Sequence, residues 1–133
     1  MRNRVLWVMQ VFFGLYFIGV GVMHFIVPEG LPQAMDWMYV LSDTLHVVSG
    51  TAEILGGLGL ILPAVTKIQP QLVPLAAFGL ALVMVGGAIW HVGRSEWANV
   101  VQDLILAGLL SYLAYGRWRL DPLPSRGTTA AAV

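Results

Sequence analysis

The chain has 133 residues, of which 58% are hydrophobic and 11% charged, with a formal net charge of zero. Soluble domains carry about 25% charged residues, so this composition cannot clothe a water-soluble globule. Zero net charge argues against nucleic acid as a partner, and the absence of cysteine excludes disulfides, thiol catalysis, Fe–S ligation and cysteine-bound zinc. What remains is a small integral membrane protein of one domain.

A bilayer span takes about 20 mainly apolar residues. Four stretches meet that length, 5–27, 45–62, 72–92 and 98–116. They are too long, and too poor in alternation, for barrel strands. The expected fold is all-α: a membrane four-helix bundle, up-down-up-down, over residues 1–120, with 121–133 as a flexible tail. Arg2 and Arg4 precede the first span as in a secretory signal. Its apolar run is too long for a signal core and no Ala-x-Ala-like site closes it, so it reads as a retained helix. Residues 28–44 mix Leu31, Met35, Trp37, Met38 and Tyr39 with Glu29, Asp36 and Asp43, the pattern of a short amphipathic segment on the interface. Pro28, Pro32, Pro63, Pro70 and Pro74 fall at or near span ends, where breaking a helix costs least. Residues 93–97 read as a plain turn.

Lys and Arg set the orientation. Arg2, Arg4, Lys67, Arg117, Arg119 and Arg126 share one side and Arg94 stands on the other, which puts both termini in the cytoplasm. Trp37, Tyr39, Trp90 and Trp97 then form an outer aromatic belt; Trp7, Tyr112, Tyr115 and Trp118 form an inner one. The expected location is the bacterial cytoplasmic (inner) membrane, with the lipid bilayer as the first partner.

The informative residues are the ionisable ones at membrane depth: His24, His46, Glu53, His91 and Asp103. A charge at mid-helix costs about 2.5–3.5 kcal/mol, so each needs a protein or water environment. All five fall in the outer half, with Glu53 roughly 10 Å below His46 at 1.5 Å rise per residue. Helical spacing aligns each with small residues. One stripe is Gln10, Gly14, Phe17, Gly21 and His24; the next is His46, Ser49 or Gly50, Glu53 and Gly57. The others are Ala77, Ala81, Met84, Ala88 and His91, and then Asp103, Ala107, Leu110 and Ala114. Small residues mark close helix approach in membranes, so the polar stripes are expected to converge inside the bundle.

The cluster reads either as a buried polar network that fixes helix register or as a ligand pocket that exchanges protons. In the second reading Glu53 and His24 are the proton-exchanging groups. His46, Ser49, Gly50, Gly21, His91 and Asp103 then shape the ligand site. Metal is disfavoured: diiron bundles use Glu-x-x-His pairs, and none occurs here. A three-histidine zinc site from His24, His46 and His91 stays geometrically open, and haem is disfavoured further. Gly56, Gly57 and Gly59 lie inside a hydrophobic span with no strand before them, so they serve helix packing rather than a nucleotide.

Two blocks resemble a known family. Gly21–Pro28, Gly-Val-Met-His-Phe-Ile-Val-Pro, is similar to the Gly-x-x-His-Phe…Pro signature of DoxX and DoxX-like membrane proteins. Ser49–Pro63 resembles that family's Ser-Gly-x-x-Glu-x-x-Gly-Gly-x-x-Leu…Pro stretch more closely still. The resemblance implies four membrane helices and carries His24 and Glu53 over as polar motif residues, with His91 behind them. It also implies a link to membrane oxidoreductase assemblies. Relatives include a thiosulfate:quinone oxidoreductase subunit and a complex with superoxide dismutase and a sulfurtransferase. This chain has no cysteine for sulfur chemistry of its own.

The cluster and the resemblance together point to a subunit of a membrane oxidoreductase system with a quinone-like ligand beside Glu53. Partner subunits or self-association are expected. Two alternatives stand: a non-catalytic accessory or assembly subunit, and a small proton-coupled transporter.

Overall fold

The computed structural model describes residues 1–127, and the end of the expected tail, 128–133, lies outside the described residues. Four helices carry the fold: α1 (Arg2–Ile26), α2 (Asp43–Thr66), α3 (Leu72–Gly93) and α4 (Trp97–Tyr115), the last running into a π-helical turn, Gly116–Leu120. Each is long and apolar enough to cross a membrane, and their order gives the expected up-down-up-down bundle. No strand occurs among the described residues. The α1–α2 connection holds a 3-10 helix, Gln33–Tyr39, where the sequence predicts its interfacial segment.

Local chemistry sets the ends. Val27 turns left-handed at φ 32 after α1, and Pro28 follows, which cannot continue a helix. The Ser42 hydroxyl accepts the Leu45 N–H at 3.3 Å and caps α2. α2 runs past Pro63 to Thr66, a turn beyond the expected end of the second span. A proline this close to the terminus removes a single backbone hydrogen bond, and the Thr66 hydroxyl donates to the Leu62 carbonyl at 2.7 Å to steady the last turn. Pro74 sits in the first turn of α3, where its missing N–H has no partner to lose.

The predicted stripes face inward. Gln10, Gly14, Phe17, Gly21 and His24 are buried on α1, and Ala77, Ala81, Met84, Ala88 and His91 on α3. Opposite faces leave Val8, Leu15, Leu55, Ile89 and Ile105 more than half exposed, which is the surface offered to lipid. The half of the bundle near the termini holds the apolar core, packed with Leu6, Phe13, Leu60, Val73, Leu80, Leu110 and Leu113.

At that end the structure buries Arg117, which the sequence counts only among the positive charges on one side of the spans. The π-helical turn swings it inward, where it is 2% exposed. It donates from Nε to Gln10 Oε1 at 2.9 Å and from Nη1 to Asn3 Oδ1 at 2.7 Å, and its guanidinium lies 5.3 Å over the Trp7 ring. Gln10 in turn donates to the Leu60 carbonyl at 2.7 Å. This clamp ties α4 to α1, whose direct contacts elsewhere are sparse; α1 packs chiefly on α2, and α3 on α4. The first tail residues are also held, through Arg2–Asp121 at 2.5 Å and the Arg126 N–H on the Lys67 carbonyl at 3.0 Å.

Candidate functional site

Four glycines bring α1 and α2 together. A Cβ on Gly57 would lie 2.6 Å from the Gly14 carbonyl oxygen, and one on Gly21 would lie 2.9 Å from that of Gly50. Gly50 answers in kind: its Cβ would stand 2.9 Å from the Gly21 oxygen and 2.8 Å from the His24 Cβ. The two pairs are two turns apart on each helix, so any larger side chain would push the backbones apart at both crossings. The close approach is what sets His24 of α1 against Glu53 of α2.

Toward the end far from the termini the bundle opens into a cavity of about 320 Å³. Of the residues singled out from the sequence, His24, Ser49, Glu53, His91 and Asp103 line it. His46 stands behind His24, and Gly21 and Gly50 form the crossing that holds its α1–α2 wall. Phe17 and Met84 supply apolar wall, and Trp37 and Trp90 border the cavity. Tyr16 of α1 and Gln102 of α4 line it on either side of the sparse α1–α4 seam.

On the α1–α2 wall the hydrogen bonds fix a proton arrangement. His46 Nε2 lies 2.9 Å from the Met38 carbonyl oxygen, which can only accept, so Nε2 donates. In a neutral His46 the other nitrogen, Nδ1, is then an acceptor, and it faces His24 Nδ1 at 2.9 Å. His24 therefore donates from Nδ1. Its Nε2 is left as a lone pair facing Glu53 Oε2 at 3.5 Å. His24 Nε2 and Glu53 Oε2 are both buried without a hydrogen-bond partner. One proton on the pair, on either residue, keeps it neutral overall, and both atoms belong to residues on the cavity wall.

The α3–α4 wall carries a second imidazole–carboxylate pair. His91 Nε2 is 3.8 Å from Asp103 Oδ2, and its Nδ1 is 2.6 Å from Glu96 Oε2. Glu96 comes from the turn after α3, where Ser95 at φ 57 folds the chain back and Arg94 Nε donates to Glu96 Oε1 at 2.9 Å. Partial burial pushes the Glu96 carboxyl up, but hydrogen bonds from His91 and Arg94 outweigh it and hold the group below the usual glutamate range.

Trp37 joins the two walls. Its ring centroid is 5.8 Å from that of His24 and 5.5 Å from that of His91. It stands between these two imidazoles, and among the described residues no three His, Asp or Glu side chains group as a metal site. Trp37, Tyr16 and Glu96 are the site residues that sequence reasoning missed. Trp37 reads as a belt aromatic, Tyr16 sits beside its stripe rather than on it, and Glu96 lies in what reads as a plain turn.

The His-Phe…Pro block closes α1 beside the cavity, and the Ser-Gly…Glu block forms the α2 wall. No curated protein and no solved structure matches the chain. The family model of the DoxX-like family matches residues 8–113, a range that holds both imidazole–carboxylate pairs and stops before Arg117, and the chain belongs to that family.

Proposed function

We propose that the cavity binds a quinone-like, lipid-soluble ligand, and that this DoxX-like protein serves a membrane oxidoreductase system there. The observation that carries the reading is the pair of orphaned polar atoms, His24 Nε2 and Glu53 Oε2, in an otherwise mostly apolar chamber. Buried polar groups are nearly always paired, so two facing orphans beside a cavity favour a ligand that pairs them. A quinone-like ring asks for apolar walls and a few proton-exchanging groups at its oxygens. Phe17, Met84 and Trp37 offer the first; Glu53–His24 and Asp103–His91 offer the second. The sparse α1–α4 seam supports entry from the lipid rather than from water.

The residues bind, orient and exchange protons. Glu53 donates to a ligand oxygen when protonated, and His24 Nε2 takes a hydroxyl proton. Electrons belong to a partner subunit with a reduced centre, which is the role this reading gives to other proteins of the complex. The lysine and arginine split supports a cavity on the periplasmic side of a bacterial inner membrane.

The test is binding of a 1,4-naphthoquinone to the protein in lipid nanodiscs, read by quenching of Trp37. Saturable binding is expected, weakened about tenfold in Glu53→Gln, the equivalent of about 1.4 kcal/mol for one lost interaction. Equal affinity in the variant removes Glu53 from the site. No saturable binding to the wild type favours an accessory subunit without a ligand. A transporter is less well supported, because Phe13 and Phe17 stand between Gln10 and His24 on the buried face of α1.

A further inference from the structure

The two polar walls differ in their access to water. On the α1–α2 side the chain of hydrogen bonds runs from His24 to His46 and ends on the carbonyl of Met38, a residue only 1% exposed. That wall is a closed end. On the α3–α4 side the side chain of Asp103 is 11% exposed and that of His91 5%, yet His91 bonds to Glu96, whose side chain is 26% exposed. His91 thus has one nitrogen toward the cavity and the other toward the surface.

We propose that Glu96, His91 and Asp103 form the path by which protons pass between the aqueous surface and the cavity. The proposal rests on the reading of the cavity as a proton-exchanging ligand site. In the outward direction a ligand hydroxyl gives its proton to the Asp103 carboxylate. Asp103 passes it to His91 Nε2 while His91 Nδ1 hands its own proton to Glu96, and Glu96 releases that proton to water. The ring charge is unchanged across the exchange, and the reverse order brings a proton in. The 3.8 Å step between His91 and Asp103 is closed by a small side-chain movement or by one bridging water.

The groups facing His91 fit this task. Arg94 holds Glu96 through Oε1, which leaves Oε2 for the imidazole, and its guanidinium lies 4.9 Å over the Trp90 ring, which fixes the turn. Asp103 faces the ring from α4. Glu53 of α2 and His24 of α1 lie across the cavity, with Trp37 between the two imidazoles. Glu96 links the histidine to the surface, whereas the hydrogen bonds given for His46 among the described residues run to His24 and the Met38 carbonyl.

The experiment is a rapid pH jump on the full chain in nanodiscs. Trp37 fluorescence is isolated by subtracting the signal of Trp37→Phe. Protons reaching the carboxylates and imidazoles around Trp37 change its emission, so the rate of that change reports proton arrival. Glu96→Gln is expected to slow it about tenfold or more, and added formate, a small diffusible acid, is expected to restore it. A purely structural role for Glu96 changes the amplitude or the stability but gives no rescue by formate. An unaltered rate in Glu96→Gln, or a slowed rate that formate leaves slow, overturns the proposal. Glu96→Ala carries the same expectations if the glutamine variant does not fold. Naphthoquinone affinity, measured separately, judges the ligand reading: its failure leaves the pH-jump result standing, and the reverse holds too.

Discussion

Gly14 and Gly57 face each other so closely that a methyl group on Gly57 would sit 2.6 Å from the Gly14 carbonyl oxygen. The obstacle is backbone, and the same added carbon would also meet Ile18 N at 3.0 Å, so relief requires α1 and α2 to separate. Gly57→Ala is expected to destabilise the bundle by about 1–3 kcal/mol, the usual range for overpacking. Gly79 is the control. Nothing lies within 4 Å of a Cβ there, and alanine in a helix interior is favoured over glycine by about 0.5–1 kcal/mol. Equilibrium unfolding in detergent micelles should separate the two variants in opposite directions. Equal stability of Gly57→Ala and wild type would contradict the crossing geometry.

The hydrogen bond from His46 to the Met38 carbonyl sets the tautomer of a residue one bond further on. At a pH where both rings are neutral, His24 is expected to carry its proton on Nδ1 and a lone pair on Nε2. Nitrogen-15 NMR of labelled histidine reads this directly, because protonated and bare ring nitrogens resonate far apart. In His46→Leu the buried Nδ1–H of His24 loses its acceptor, at a cost of about 1–3 kcal/mol, and the single-tautomer signature should give way to a mixture. A wild-type His24 protonated on Nε2 would reverse the polarity assigned to the α1–α2 wall.

What was legible in the sequence follows from periodicity. His24, Glu53, His91 and Asp103 each share a helical face with glycine or alanine, and a local repeat shows such a face without any knowledge of partners. What was not legible depends on contacts between distant segments. Arg117 counts as one more positive charge flanking the spans until the π-helical turn carries it to Gln10, 107 positions away. Trp37 has the composition of an interfacial anchor, and only the fold of residues 28–44 over the bundle end sets it between two histidines. Glu96 lies five residues from His91, close enough to notice, but the backward fold at Ser95 that joins them leaves no pattern in the residue types.

Acid should weaken the α3–α4 turn in a defined direction. The Glu96 carboxyl is held below its ordinary range in the folded chain, because the hydrogen bonds from His91 and Arg94 outweigh partial burial. A lowered folded value means that its contribution is fully present above the unfolded glutamate range and disappears as pH falls through the folded value. Midpoints of thermal unfolding measured downward from the ordinary glutamate range should therefore fall more steeply for wild type than for Glu96→Gln. Parallel acid limbs would show that these hydrogen bonds add nothing to the turn in solution.

Neighbouring glycines on α3 provide a matched test of the Asp103 wall. Gly86 and Gly87 both line the cavity, but a Cβ on Gly86 meets nothing within 4 Å, whereas one on Gly87 falls 2.6 Å from Asp103 Oδ2. The obstacle at Gly87 is the end of a side chain rather than backbone, so Asp103 can turn aside and the fold should survive with its stability little changed. The carboxylate cannot turn and still face His91 at its present distance. Gly87→Ala is therefore expected to weaken naphthoquinone binding about tenfold, or about 1.4 kcal/mol, and to slow the Trp37 response after a pH jump. Gly86→Ala adds the same methyl group to the same cavity and should leave Asp103 where it is, so the response should keep its rate. Loss of binding in both variants alike would mean that cavity volume, rather than the position of the Asp103 carboxylate, decides what the site accepts.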